Sequence, residues 1–337
     1  MKTFYRYLVY RLKNSAIRTL ILSALLVAVC LVGINECNTS RYVEGCQSGL
    51  YMLAIALCVT ASIVPLFELS GLKNRRNLDT LYFFPIKRSK LALVHFVSGW
   101  IQVIVIYSFT FVASYLWLAL QTDYFALGYM FVYYVLSLLL AFVIYSVFSF
   151  LFIQANTVAD GVLFCALWIF LPALVAVTWD FVFEYELAGK LSGWGILYTP
   201  MNNLTVLYQD LIEINHPSRW DSNAEAIHEC WYMFFFWGAV GIAAAQGYVV
   251  SFVKKGAERA GEISNSLVGY KTLIPIYGYC YMLLTGVGFQ PILMLFYLIF
   301  MLSGYLIYRR GFKFKLIDII TTVVGFILPV LLLAAKG

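Results

Sequence analysis

Charged side chains are scarce in this chain of 337 residues. Asp, Glu, Lys and Arg together make up 12% of the sequence, whereas hydrophobic residues make up 62% and the mean hydropathy is +0.84. A soluble domain cannot bury that much apolar surface. The composition therefore excludes a soluble globular protein and predicts an all-α integral membrane protein.

Histidine is also rare, and the motifs of familiar catalytic sites are missing. The three histidines, His95, His216 and His228, are scattered along the chain. The sequence contains no H-E-x-x-H, C-x-x-C or G-x-S-x-G pattern and no G-x-x-x-x-G-K-[ST] phosphate loop. These absences argue against an enzyme and predict no metal or cofactor in this chain. His95, within an apolar run, is expected to face a pore or to hydrogen-bond between helices.

Cysteine occurs seven times. Four of these residues lie within apolar runs and are predicted to serve as small apolar side chains, namely Cys30, Cys58, Cys165 and Cys280. Cys37 and Cys46 lie nine residues apart in one short loop. They are candidates for a disulfide, with Cys230 as the alternative partner for either.

Long apolar runs dominate the remaining sequence, and a helix needs about 20 such residues to cross a bilayer. Nine runs lie near 17–34, 49–69, 91–120, 127–153, 161–179, 231–252, 272–288, 290–308 and 316–334. The third, at ~45 Å, exceeds the ~30 Å hydrocarbon core, so it is expected to tilt or project. The seventh is interrupted by proline and glycine, and a re-entrant hairpin with the eighth is the alternative. The runs predict a polytopic bundle of about eight to nine spans.

Basic residues are distributed unevenly over alternate loops. With the N-terminus in the cytoplasm, nineteen of the 23 Lys and Arg residues lie inside and four outside. Eight of the 17 acidic residues lie in 180–230, which predicts an external loop with an amphipathic helix over 202–215 as a cap or a lid. The pattern predicts a multi-pass protein of the cell membrane. The basic clusters next to apolar runs favour contact with membrane lipid and not with nucleic acid.

The first sixteen residues are amphipathic when projected on a helix. Four apolar side chains share one face, namely Phe4, Tyr5, Leu8 and Leu12. The pattern predicts an interfacial elbow helix over 1–16 that lies on the cytoplasmic leaflet before the chain turns into the first span. The alternative is a basic tail that only orients that span.

A short basic segment over residues 70–90, here called the coupling segment, joins the second and third runs and carries six of the 23 Lys and Arg residues. Asn74 can cap a helix and the later proline ends it, which predicts a short helix over 75–82. An apolar stripe on this helix consists of Leu78, Leu81 and Tyr82. Such a stripe needs a groove, supplied either by the chain's own helix ends or by a partner.

The order of these elements, together with the motif R-x-L-D-x-L-x-x-x-P-I-x-R-x-K-L, resembles the membrane subunits of bacterial ABC exporters. The matching residues are Arg76, Leu78, Asp79, Leu81, Pro85, Ile86, Arg88, Lys90 and Leu91. A basic stretch over 254–270 is similar to the E-x-A-G turn of Gram-positive Ytr-type permeases, with Glu258, Ala260 and Gly261 in the matching positions. The chain departs from that branch before the proline, where it reads Tyr-Phe-Phe and Ytr-type sequences usually read His-Ser-Leu.

The resemblance implies an exporter subunit that is not itself an enzyme. A separate cytoplasmic ABC ATPase would hold ATP and Mg and receive the coupling segment, and a second copy or a related permease would complete the complex. The residues implied in coupling are Arg75, Arg76, Leu78, Asp79, Leu81, Tyr82, Pro85 and Arg88. The cargo would be hydrophobic or amphipathic, such as an antimicrobial peptide or toxin, or alternatively a lipid-linked envelope component.

An ion-coupled carrier is the other functional class that the sequence leaves open. It would need acidic residues near the membrane midplane, and Glu68, Asp160 and Asp318 lie at the ends of their runs. The predicted organisation is therefore an elbow helix (1–16), a six-span core with the coupling segment and external loop (17–252), a cytoplasmic connector (253–271) and C-terminal spans (272–337).

Overall fold

The computed structural model describes residues 2–37, 43–74, 76–77, 86–121, 127–183, 231–255, 260–285 and 291–336. The longer helices among them are α1 (Lys2–Cys37), α2 (Val43–Ser70), α3 (Arg88–Gln121), α4 (Leu127–Gln154), α5 (Val158–Phe183), α6 (Trp231–Lys254), α7 (Tyr270–Thr285), α8 (Pro291–Arg309) and α9 (Leu316–Lys336). Within these ranges there is no β-strand, and seven helices are long and apolar enough to cross a membrane. The predicted fold class, an all-α polytopic membrane bundle, is confirmed.

Helices α3 and α7 differ in length from the other helices. Helix α3 has 34 residues, which corresponds to ~51 Å and agrees with the long third span predicted from the sequence. Helix α7 contains Pro275 and has 16 residues. At 1.5 Å per residue it is only ~24 Å long, which is less than the ~30 Å hydrocarbon core. The apolar part of α9, Leu316–Leu332, is also shorter than the seven spans.

The first compact unit contains α1, α2, α3, α4 as far as Phe150, and α6. Helix α3 is held on two sides by buried tyrosines whose hydroxyl groups donate to its main chain. Tyr145 of α4 donates to the carbonyl oxygen of Phe96 at 2.8 Å, and Tyr248 of α6 donates to that of Ala92 at 3.5 Å. Gly99 packs directly against the Tyr145 hydroxyl, where a Cβ atom would overlap it. A glycine is therefore required for the close approach of α3 and α4.

The second compact unit contains Leu72–Arg75, the end of α4 from Leu151, and helices α5, α7, α8 and α9. Its core is rich in buried aromatic side chains, namely Phe164, Tyr270, Tyr297, Tyr305 and Tyr308. The sequence placed α5 in the six-span core, but α5 packs with the C-terminal helices. The Tyr277 hydroxyl of α7 donates to the carbonyl oxygen of Leu167 on α5 at 2.6 Å, which helps to fix this grouping.

Helix α1 differs from the predicted elbow. It runs without interruption from Lys2 to Cys37, so the chain makes no turn near residue 16. Tyr5 is 67% exposed. The basic first turns of the helix continue directly into its apolar stretch. No proline or glycine occurs between residues 2 and 32 to break the helix. The interfacial position of residues 1–16 stays a prediction.

Candidate functional site

The carboxylate of Glu68 joins three helices of the first unit. Glu68 lies near the end of α2 and is only 4% exposed. It accepts hydrogen bonds from the guanidinium groups of Arg11 and Arg18 on α1, the latter at 2.5 Å between Nη2 and Oε1. Gln102 of α3 donates from Nε2 to Glu68 Oε1 at 2.7 Å. These four residues form the Glu68 cluster.

Pairing within the Glu68 cluster offsets the cost of burying its charges. Arg18 donates a second hydrogen bond to Oε1 of Gln102 at 2.8 Å, which turns the amide nitrogen of Gln102 towards Glu68. A carboxylate withdrawn from water is costly unless it is paired and hydrogen-bonded, so Glu68 depends on these donors. Two arginines face one carboxylate, so the cluster keeps an excess of one positive charge. It holds the basic start of α1 against α2 and α3.

His95 lies deep in the first unit and is 1% exposed. Its ring packs 6.2 Å from the ring of Tyr7 and 6.3 Å from that of Phe252, measured between centroids. Neither ring nitrogen has a hydrogen-bond partner of ordinary geometry among the described residues. Aromatic side chains pack against the ring, and the expected pore-facing or inter-helix hydrogen-bonding role stays a prediction.

Lys73 fixes the start of the coupling segment within the second unit. Its ammonium group donates to the main-chain carbonyl oxygens of Phe152 at 2.8 Å and Ala155 at 2.5 Å. The carbonyl groups at a helix end lack partners within the helix and carry the negative end of its dipole. Lys73, which is 9% exposed, therefore caps the end of α4.

Asp160 organises the polar end of the second unit. Its carboxylate accepts hydrogen bonds from Ser264 Oγ at 2.5 Å and from the Tyr270 hydroxyl at 2.7 Å. Arg310, which follows α8, lies 3.7 Å from the same carboxylate. These four residues form the Asp160 cluster. It ties the connector before α7 and the loop after α8 to the start of α5.

The connector over residues 260–269 has a defined turn at Gly261. Gly261 adopts a φ of 86°, a left-handed conformation that favours glycine. Its amide donates to the carbonyl oxygen of Asn156 at 3.0 Å, and its own carbonyl oxygen accepts from Arg310 at 2.9 Å. This glycine is one of the residues that match the E-x-A-G turn of the Ytr-type permeases. Glu258 of the same motif lies outside the described residues.

Tyr270 donates to Asp160 because its phenol stays protonated. Burial raises the pKa of Tyr270 above its ordinary value, and the hydrogen bond to Asp160 raises it further. The hydroxyl therefore remains a donor throughout the physiological range. Asp160 depends on this donor because its other two partners, Ser264 and Arg310, lie in the connector and in the loop after α8.

Loss of the Tyr270 hydroxyl should loosen the connector. Tyr270→Phe removes one hydrogen bond to a charged group, a contribution of ~1.5–3 kcal/mol, and keeps the ring in place. We expect faster trypsin cleavage at the basic residues around 254–259 in the purified protein. The matched control is Tyr279→Phe on the same helix, whose hydroxyl is not bonded to Asp160. Equal cleavage rates in the two variants would contradict this role for the Asp160 cluster.

Few of the residues predicted to couple the chain to an ATPase fall within the described ranges. Arg76 lies in a short exposed helical stretch, and Arg88 is the first residue of α3. The other predicted coupling residues lie outside the described part of the chain, namely Arg75, Leu78, Asp79, Leu81, Tyr82 and Pro85. The amphipathic helix predicted over 202–215 also lies outside it.

Cysteine and potential metal ligands give no redox or metal centre in the described residues. Cys30, Cys165 and Cys280 are buried and Cys58 is partly buried, as expected for small apolar side chains. The side chains of the predicted disulfide pair, Cys37 and Cys46, lie outside the described residues. No group of three or more His, Cys, Asp or Glu side chains in the described ranges could hold a metal ion.

Comparisons with known proteins add no relative. A scan against protein-family models found no match to the chain, and a search of curated proteins found none either.

Proposed function

We propose that this chain is the membrane-spanning subunit of an ATP-driven ABC exporter. In this proposal it lies in the cell membrane with its N-terminus in the cytoplasm, and it works with a separate cytoplasmic ABC ATPase that binds ATP and Mg. A second copy or a related permease completes the complex. The cargo is a hydrophobic or amphipathic molecule, such as an antimicrobial peptide or toxin.

The observation that carries the proposal is the position of the coupling segment in the chain. Its first residues, Leu72–Arg75, belong to the second unit, where Lys73 caps the end of α4. The chain then enters the first unit and continues into α3, the 34-residue helix. A displacement of this segment would act on the buried side chain of Lys73 at one end and on α3 at the other. This continuity from a buried side chain to α3 supports transmission of the movement of a docked ATPase.

Three acidic residues of the described helices bear on the alternative of an ion-coupled carrier. Such a carrier needs a carboxylate that is free to exchange a proton or bind an ion. Glu68 is paired with two arginines, Asp160 lies near Arg310, and Asp318 accepts from Arg309 at 2.7 and 2.9 Å. The three are engaged in structural pairs, which favours the exporter over the carrier. A lipid-linked envelope component remains the alternative cargo.

Reporter fusions provide the test of the sidedness that this function requires. Fusions at Arg88 and Lys255 should be cytoplasmic and a fusion at Ser222 should be external, because nineteen of the 23 basic residues then lie inside. An ATPase can reach the coupling segment only from the cytoplasm. External signals at Arg88 and Lys255 would contradict the proposed function.

A further inference from the structure

A lateral groove runs between α1 and α3 in the first unit. It encloses about 580 Å³, a volume within the usual range of small-molecule pockets. On α1 it is lined by residues between Leu12 and Val27, and on α3 by residues between Ile101 and Phe109. The α1 wall is ~22 Å long at 1.5 Å per residue, enough to follow the acyl region of one leaflet, which is half of the ~30 Å core.

The groove has an apolar floor although three hydroxyl residues contribute to it. Ser15, Thr19 and Ser23 are all buried, and each hydroxyl donates to a carbonyl oxygen one turn earlier in α1, at 3.1, 2.9 and 2.8 Å. These donors are used within the helix and offer nothing to a polar ligand. The small side chains leave a channel that suits a hydrocarbon chain.

One region of the groove is positively charged. Gln102 lines the groove and is bonded to Arg18 and Glu68, so the Glu68 cluster, with its excess positive charge, borders the channel. The side chains of Arg11 and Arg18 are 26% and 33% exposed, which leaves part of each guanidinium accessible. Lys13, in the same part of α1, is also exposed. An anionic group next to the apolar channel would neutralise this charge.

We propose that the groove binds an anionic phospholipid of the surrounding bilayer, with one acyl chain between α1 and α3 and the phosphate beside Arg11 and Arg18. Arginine forms bidentate hydrogen bonds to phosphate, and anionic lipid is attracted to basic segments at the membrane surface. A second copy of the chain fits less well. A symmetric contact through this face would bring the excess positive charges of both copies together.

Native mass spectrometry of the detergent-purified full chain, with added phosphatidylglycerol or phosphatidylcholine, tests the site. Wild type should retain one phosphatidylglycerol, with about tenfold preference over phosphatidylcholine. Ala24→Phe fills the groove and should lower retention about tenfold, since displacing roughly two methylene groups is sufficient for that factor. Ala28→Phe is the matched control, because Ala28 lies one turn further along α1, is exposed and does not line the groove.

Ala16→Phe provides a second groove-filling change in case Ala24→Phe folds poorly, since Ala16 also lines the groove and is exposed. It should lower lipid retention in the same way. Three results would overturn the proposal: no retained phospholipid, equal retention of the two lipids by wild type, or undiminished retention in the folded groove variants. Loss of a dimer in those variants with unchanged lipid retention would assign the groove to a second copy instead.

Discussion

Glu68→Ala is expected to reduce the stability of the folded protein by ~3–5 kcal/mol, because it leaves two arginines without their carboxylate in a partly buried position. The substitution also removes the acceptor for Gln102, so a buried amide donor loses its partner. We expect a lower melting temperature in detergent and a lower yield of monodisperse protein. Glu262→Ala is the matched control, since Glu262 is exposed and lies outside the Glu68 cluster.

A compensating change separates charge pairing from simple loss of volume. Glu68→Gln keeps the size of the side chain but leaves Arg11 and Arg18 unpaired, so it should be nearly as destabilising as Glu68→Ala. Adding Arg18→Gln to Glu68→Gln removes one unpaired charge and should restore part of the stability, which is non-additive behaviour for a pair in contact. Melting temperatures of Glu68→Ala and Glu262→Ala that agree within error would show that the cluster is not structural.

Leu78→Asp and Leu81→Asp are expected to separate the chain from its ATPase. If the apolar stripe enters the ATPase cleft, replacing one desolvated anchor costs ~2 kcal/mol or more, which weakens binding about 30-fold. The variants should insert and fold normally but lose the co-purified ATPase or uncouple ATP hydrolysis from export. Arg75→Ala is the matched control, because an exposed charge pair contributes ~1 kcal/mol or less.

The competing interpretation treats the coupling segment as a basic surface loop that only sets orientation. In that case the combined change of Arg75, Arg76 and Arg88 to alanine would disturb the topology, while the leucine changes would have no effect. Retained ATPase binding and export in both leucine variants would therefore contradict a coupling helix at this position.

The helices of this protein could be predicted from the sequence because a long apolar run indicates a membrane-spanning helix directly. Helix α3 is an example, since the predicted apolar run over 91–120 lies within its 34 residues. The continuity of α1 was not predicted. Its first turns are amphipathic, and the helical periodicity does not specify whether the helix bends where the polar face ends.

The contacts that define the clusters could not be predicted from the sequence. Glu68 and Arg11 are 57 positions apart, and Asp160 and Ser264 are 104 apart. Hydropathy indicates that a segment spans the membrane, but the faces that meet depend on side-chain packing between helices. The signal available for Glu68 was an acidic residue at the end of an apolar run with basic residues near the N-terminus, and no spacing rule connects them. The same limitation explains why the sequence did not indicate the packing of α5 with the C-terminal helices.

The most direct test of the exporter proposal is quantitative mass spectrometry of the wild-type chain, affinity-purified from its native membrane in mild detergent. The proposal predicts a second protein that carries G-x-x-x-x-G-K-[ST], is present in near-stoichiometric amount, and gives the preparation ATPase activity. Purification of the folded chain without any such ATPase, under conditions that preserve its other associations, would contradict the proposal.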